Sequence, residues 1–205
     1  MATIRGVLLV VLAVIGLMAP VAVRPAMAVE VPVAETLVRA VVADANATLG
    51  GGPHSVVEKR ARLSALVEKY ADISYESELL LGRYWRKASS AQQEAFTGLL
   101  VPFFVATYGE MVDAADVKPD VVFLGADPSG DAVQVRTQLV TQGQNPVDVK
   151  WLVAQAPSGK VVVADIVADG VSIITTLKSD FTSVVRMGGG NLDVLLDAMR
   201  KKIGG

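Results

Sequence analysis

The chain contains no cysteine and a single histidine, His54, and these two shortages remove several chemistries at once. Without thiols the fold must hold through its core alone, and a zinc site of His and Cys ligands has nothing to be built from. A Ser-His-Asp triad would need His54 as its base, yet His54 directly follows Gly50-Gly51-Gly52-Pro53, where a surface place at a helix start is the ordinary one. Clustered basic residues are also missing. The whole chain has a formal charge of −2, which argues against nucleic acid as a partner because such binding draws on neutralised phosphates. Neither Gly50-Gly51-Gly52 nor Gly188-Gly189-Gly190 is followed by the Lys-Ser/Thr of a phosphate-binding loop, so both read as helix ends.

A long apolar run occurs once. Arg5 precedes an apolar stretch from Val7 to Ala19, and Ala26-Met27-Ala28 has the small-x-small form of a cleavage site. The run is shorter than the ~20 residues a membrane-spanning helix needs, and Pro20 and Pro25 interrupt the residues beyond it. Residues 1–28 therefore read as a secretory signal peptide cleaved after Ala28, and residues 29–205 as a single domain with helical additions. The leader holds two of the 19 basic residues, Arg5 and Arg24, and none of the 21 acids, so the mature domain is the more acidic part.

Apolar spacing predicts helices over Val33 to Leu49, Ser55 to Tyr70 and Ser74 to Tyr84. Ser89 with Gln92 three residues on has the form of a capping box, opening a long helix that reaches Met111 or beyond. Its Phe96, Leu99, Leu100, Phe103, Phe104 and Tyr108 form a broad aromatic stripe, and Pro102 inside it is expected to kink the helix. After Val117-Lys118-Pro119 the period changes to two. Strands are expected over Val121 to Ala126, Ala132 to Thr141, Val147 to Gln155 and Val161 to Ala168, with turns at Asp127-Pro128-Ser129-Gly130, residues 142–146 and Pro157-Ser158-Gly159. Alternation puts Val133, Val135 and Leu139 on one side of the second strand, and Val147, Val149, Trp151 and Val153 on one side of the third. Two more helices follow, Ser179 to Met187 and Asn191 to Ile203. The fold class is α+β: N-terminal helices, a four-stranded antiparallel meander and C-terminal helices, with helices over one concave sheet face.

Two segments resemble a known family. Gly82-Arg83-Tyr84-Trp85-Arg86-Lys87-Ala88-Ser89, then Gln92 or Gln93, Phe96 and Thr107-Tyr108, resembles the G-x-Y-W-R signature of the MlaC/toluene-tolerance family of periplasmic phospholipid-binding proteins. The stretch from Asp165 through Asp169-Gly170-Val171-Ser172 to Ile173, ending at Phe181, is similar to that family's second motif. The sequence departs where many members have Asn-Tyr-Arg: Thr176-Leu177-Lys178 replaces an aromatic ring and a guanidinium.

The resemblance implies a nuclear-transport-factor-like domain in the periplasm with a lipid cavity between sheet and helices. It also implies a phospholipid carrier, the soluble component of an ABC-transporter-linked system, making transient contact with inner-membrane and outer-membrane complexes. Some relatives are tied to hopanoids, which leaves the cargo open. On this reading the cavity is lined by Phe103, Phe104, Tyr108, Val133, Val135, Trp151, Val153 and Ile173, with Arg136 and Lys178 at a headgroup rim. The protein is expected to be a monomer, with no cofactor, no metal and no catalytic residue. Two other classes stay beside this one. An enzyme on a similar cone-shaped fold would need an ionisable residue inside the cavity, for which Asp165 is named. A chaperone or adaptor would use the same groove for protein segments.

Overall fold

The computed structural model describes residues 28–48, 55–113 and 120–204. The leader up to residue 27, the Gly50 to Gly52 break, His54 and Val117-Lys118-Pro119 lie outside them. Helix α1 covers Val31–Thr48, α2 Val56–Tyr70, α3 Ile73–Leu81 and α4 Ser90–Asp113. A 3₁₀ segment, Gly82–Lys87, joins α3 to α4, where the spacing alone suggests that α3 simply continues to Tyr84.

Three of the helix starts are chemically explicit. Ser55 and Glu58 cap α2 reciprocally, Glu58 N donating to Ser55 Oγ at 3.3 Å and Ser55 N to Glu58 Oε2 at 2.9 Å. Asp72 Oδ1 accepts from Tyr75 N at 3.1 Å and opens α3 only one residue after α2 has ended at Ala71. Ser89 and Gln92 form the expected box before α4, at 3.1 and 3.2 Å. Gly82 has a φ of 51°, a conformation that most side chains resist, and so ends α3 with a change of direction.

The sheet has five strands, not four, all antiparallel and in sequence order. They are β1 Asp120–Ser129, β2 Ala132–Val140, β3 Val147–Gln155, β4 Val161–Ala168 and β5 Val171–Ser172. The fifth strand has two residues, too few for alternation to show. It exists because Asp169 (φ 46°) and Gly170 (φ 84°) form a two-residue turn with both centres left-handed, matching the sheet's twist and returning Val171 and Ser172 onto β4. At the other end β1 runs three residues beyond the expected boundary. A register shift between Phe123 and Gly125 lets Asp127, Pro128 and Ser129 stay paired with β2, and the turn moves to Gly130 and Asp131.

Helix α5, Ile173–Met187, begins six residues before its expected start, and α6 spans Leu192–Gly204. The run Ile173-Ile174-Thr175-Thr176 is β-branched and reads as extended. Ser172 overrides that preference by accepting from Thr175 N at 2.9 Å.

Two hydrophobic clusters result. In the first, α3, α4, α5 and α6 pack around Phe96, Phe181, Leu195 and Met199, with the Phe181 ring edge-on to Phe96 at 5.6 Å and to Phe103 at 5.3 Å. In the second, Ala34 and Val38 of α1 lie on Val133, Val135 and Val153, all fully buried. Register places Val133 opposite Val153 and Val135 opposite Trp151, so these side chains share the helix-facing side of the sheet.

Candidate functional site

Between the two clusters lies a cavity of about 250 Å³. Its wall is drawn from most of the chain: Val41 and Ala45 of α1, Leu63, Leu66, Val67 and Tyr70 of α2, Ile73, Glu76 and Leu80 of α3, and Leu100, Val101 and Phe104 of α4. Trp151 of β3, Val163 to Ile166 of β4, and Ile173, Ile174 and Leu177 of α5 complete it. Apart from Tyr70, Glu76, Trp151 and Asp165, every one of these side chains is hydrocarbon.

Polar bonds at the periphery hold the wall in place. The β3–β4 hairpin grips the α2–α3 corner, with Ser158 Oγ donating to Asp72 Oδ2 at 2.7 Å and Lys160 Nζ donating to the Ala71 carbonyl at 2.6 Å. The bond from Ser158, then that from Tyr75 N, holds the Asp72 carboxyl below its ordinary range. On the other side Asp44 of α1 accepts from Lys69 Nζ and from Tyr70 Oη, the latter at 2.7 Å, joining α1 to α2. These two bonds, the lysine's first, lower the Asp44 pKa.

Trp151 turns its polar edge away from the cavity's hydrocarbon. Its Nε1 donates to Thr137 Oγ1 at 2.9 Å, and Thr137 is itself buried on the neighbouring strand.

The two carboxyl groups of the wall differ. Asp165 accepts from Ser172 Oγ at 2.6 Å and from Ile174 N at 3.1 Å, so it ties the end of β4 to the start of α5. Glu76 is 6% exposed, and neither of its carboxyl oxygens meets a hydrogen-bond partner. Burial first, then the charges of Asp165 and Asp72, pushes its pKa up to about 8.

The candidate residues read from the sequence separate into groups. Phe104, Trp151 and Ile173 are in the cavity wall. Tyr108 lies against Phe104 with ring centroids 4.7 Å apart and planes tilted by 46°, and both Tyr108 and Phe103 pack on the first cluster, Phe103 against Phe181. Val133, Val135 and Val153 lie under α1 in the second cluster. Arg136 sits on the other side of β2 from Val135, with Nε 3.1 Å from Asp127 Oδ2. Lys178 is exposed and follows the lining residue Leu177, and its Nζ comes within 3.7 Å of where a side chain at Gly82 would begin, so the two motif segments meet there. Sequence reasoning misses Glu76, although a signal is present. Ile73, Glu76 and Leu80 recur at spacings of three and four, which puts an acid within an apolar helical stripe.

These walls define an α+β domain built around an interior apolar site. The MlaC protein family matches residues 35–201, and the chain belongs to that family. Among solved structures, the phospholipid-binding protein from Ralstonia solanacearum, determined in complex with a phospholipid, has the same fold. The TM-score is 0.71 at 24% sequence identity, over 83% of this chain and 97% of that one.

Proposed function

We propose that this protein is a periplasmic phospholipid carrier, released by cleavage after Ala28 as the single domain 29–205, and that it moves lipid between inner and outer membranes without chemical turnover. The observation that carries the reading is the cavity itself, bordered by five helices and one face of the sheet and walled almost wholly by hydrocarbon. Exposing acyl chains to water costs ~0.8 kcal/mol per methylene, or on the order of 24 kcal/mol for a two-chain lipid of about thirty methylenes. A soluble vehicle therefore has to replace water around nearly the whole tail, and it needs no nucleophile or acid–base pair to do so. The helices packed beside one face of the sheet supply apolar surface for this purpose. Family membership and the phospholipid held by the Ralstonia solanacearum protein point the same way.

In this reading Phe104, Trp151 and Ile173 touch acyl chain, while Phe103, Tyr108 and the valines 133, 135 and 153 stiffen the wall from behind. Lys178, next to a lining residue, is the better placed of the two rim cations for a headgroup phosphate, because Arg136 is on the opposite sheet face. Docking to an outer-membrane lipoprotein complex and to an inner-membrane ring protein of an ABC-transporter system would be brief, as a monomeric shuttle requires modest interfaces.

Native mass spectrometry of protein isolated from a bacterial periplasm, followed by organic extraction, tests the proposal. A stoichiometric adduct of phospholipid mass is expected. Lipid-free protein that also takes up nothing from phospholipid vesicles would overturn it.

A further inference from the structure

Glu76 is the one wall group whose polar atoms have no place in a cavity meant for plain hydrocarbon. It sits on α3 between Ile73 and Leu80, is more than nine-tenths buried, and finds no hydrogen-bond partner for either oxygen. A buried polar group left in this condition destabilises the fold, so a leucine here would make a more stable protein. The other wall carboxyl, Asp165, shows how the fold treats an acid that serves the scaffold, since both of its oxygens receive a donor. Glu76 receives none. We infer that the cavity is made for a lipid whose chain region carries an uncharged hydroxyl, and that the Glu76 carboxyl is the hydrogen-bonding partner of that hydroxyl.

The inference rests on the carrier reading and narrows its cargo. Chemistry selects a hydroxyl over the other polar groups a lipid offers. A phosphate or carboxylate would enter the negative field of Asp72 and Asp165, the same field that acts on Glu76. An ammonium would require Glu76 to ionise among hydrocarbon walls, and a buried ion pair without further donors and acceptors recovers little of its desolvation cost. Near neutral pH the carboxyl keeps its proton, because burial and the two neighbouring acids disfavour the charge. A neutral carboxyl offers one donor and has acceptor capacity left over; an ester carbonyl of the lipid answers only the donor, whereas an uncharged hydroxyl answers both. The phosphate end of such a lipid would then lie away from Glu76, toward the exposed rim.

The test is a competition. Protein stripped of lipid is incubated with phosphatidylglycerol vesicles in which plain stearoyl chains compete with hydroxystearoyl chains. The hydroxyl is placed near the start, the middle or the end of the chain in three separate mixtures, and the bound lipid is extracted and weighed by mass. In one of the three mixtures the native protein should enrich the hydroxylated lipid about tenfold, the ratio expected from one buried hydrogen bond. Glu76→Leu should take both lipids in proportion to supply. Glu76→Gln, whose amide also donates and accepts, should keep most of the preference. Stoichiometric loading with no enrichment in any mixture would overturn the inference and leave the carrier standing. Enrichment that survives Glu76→Leu would move the recognition elsewhere and overturn it equally. No loading by the native protein would remove the carrier reading, and this inference with it.

Discussion

Glu76 and Asp165 line the same cavity, but Asp165 is held by Ser172 and by the Ile174 amide, whereas Glu76 is met by no donor. This difference sets a pH dependence. The Glu76 pKa is raised from 4.5 to about 8 in the folded chain. Between those values the unfolded chain releases a proton that the folded chain retains, so stability is fully present below about pH 4.5 and falls as pH rises toward 8. Urea unfolding should show Glu76→Leu to be more stable than the native chain by about 2–4 kcal/mol at pH 8, with little proton-linked gain remaining at pH 4.5. A difference independent of pH would mean that Glu76 is ionised in the fold.

Phe104 and Val135 make a second contrast. Phe104 faces the cavity, while Val135 is fully buried beneath α1. Phe104→Asp should still unfold cooperatively, because its carboxylate can draw water into an existing space, but should lose co-purifying lipid. Val135→Asp has no such outlet and should cost more than about 4 kcal/mol, enough to abolish a cooperative transition. Circular dichroism melts together with lipid extraction distinguish the two.

Thr137 accepts the hydrogen bond of the Trp151 indole N–H at 2.9 Å. Thr137→Val keeps the shape and removes the acceptor, leaving that N–H without its partner. The expected loss is about 1–3 kcal/mol in denaturant unfolding, with Thr137→Ser recovering most of it. Equal stability of the valine and serine variants would show that the bond contributes nothing.

Asp44 fastens α1 to α2 beside the cavity through Lys69 and Tyr70. Lys69 is 60% exposed, so solvent screens the contact and it adds little to global stability. Its effect should appear in kinetics. Tyr70→Phe and Asp44→Asn are expected to speed transfer of a fluorescent phospholipid to acceptor vesicles several-fold. Because the Asp44 pKa is lowered, its contribution is present above the usual carboxylate range and is lost as pH falls below it. Unchanged transfer rates would place the opening elsewhere in the wall.

Much of the scaffold could be read from residue order. Strands Val147–Gln155 and Val161–Ala168 fall where alternation and turn residues put them, and the Ser89/Gln92 cap is formed as its spacing suggests. What escaped was decided by side-chain hydrogen bonds that hydropathy does not report. Ser172 starts α5 inside a β-branched run, and its hydroxyl is also held by Asp165, seven residues back on β4. The site was less legible for a related reason. Periodicity says that Val133, Val135 and Val153 face inward, but not that α1 lies on them and leaves the open space to residues of α2, α3 and β4.

The cavity wall begins at Val41 and ends at Leu177, and no contiguous stretch of chain encloses it. A polypeptide made from its N-terminus therefore presents the apolar faces of four helices long before the strands and last helices that cover them exist. Those pairings are distant in sequence, so closure is slow, and the half-made chain is prone to aggregate. The protein's own need for shelter from water thus comes before any it gives to lipid.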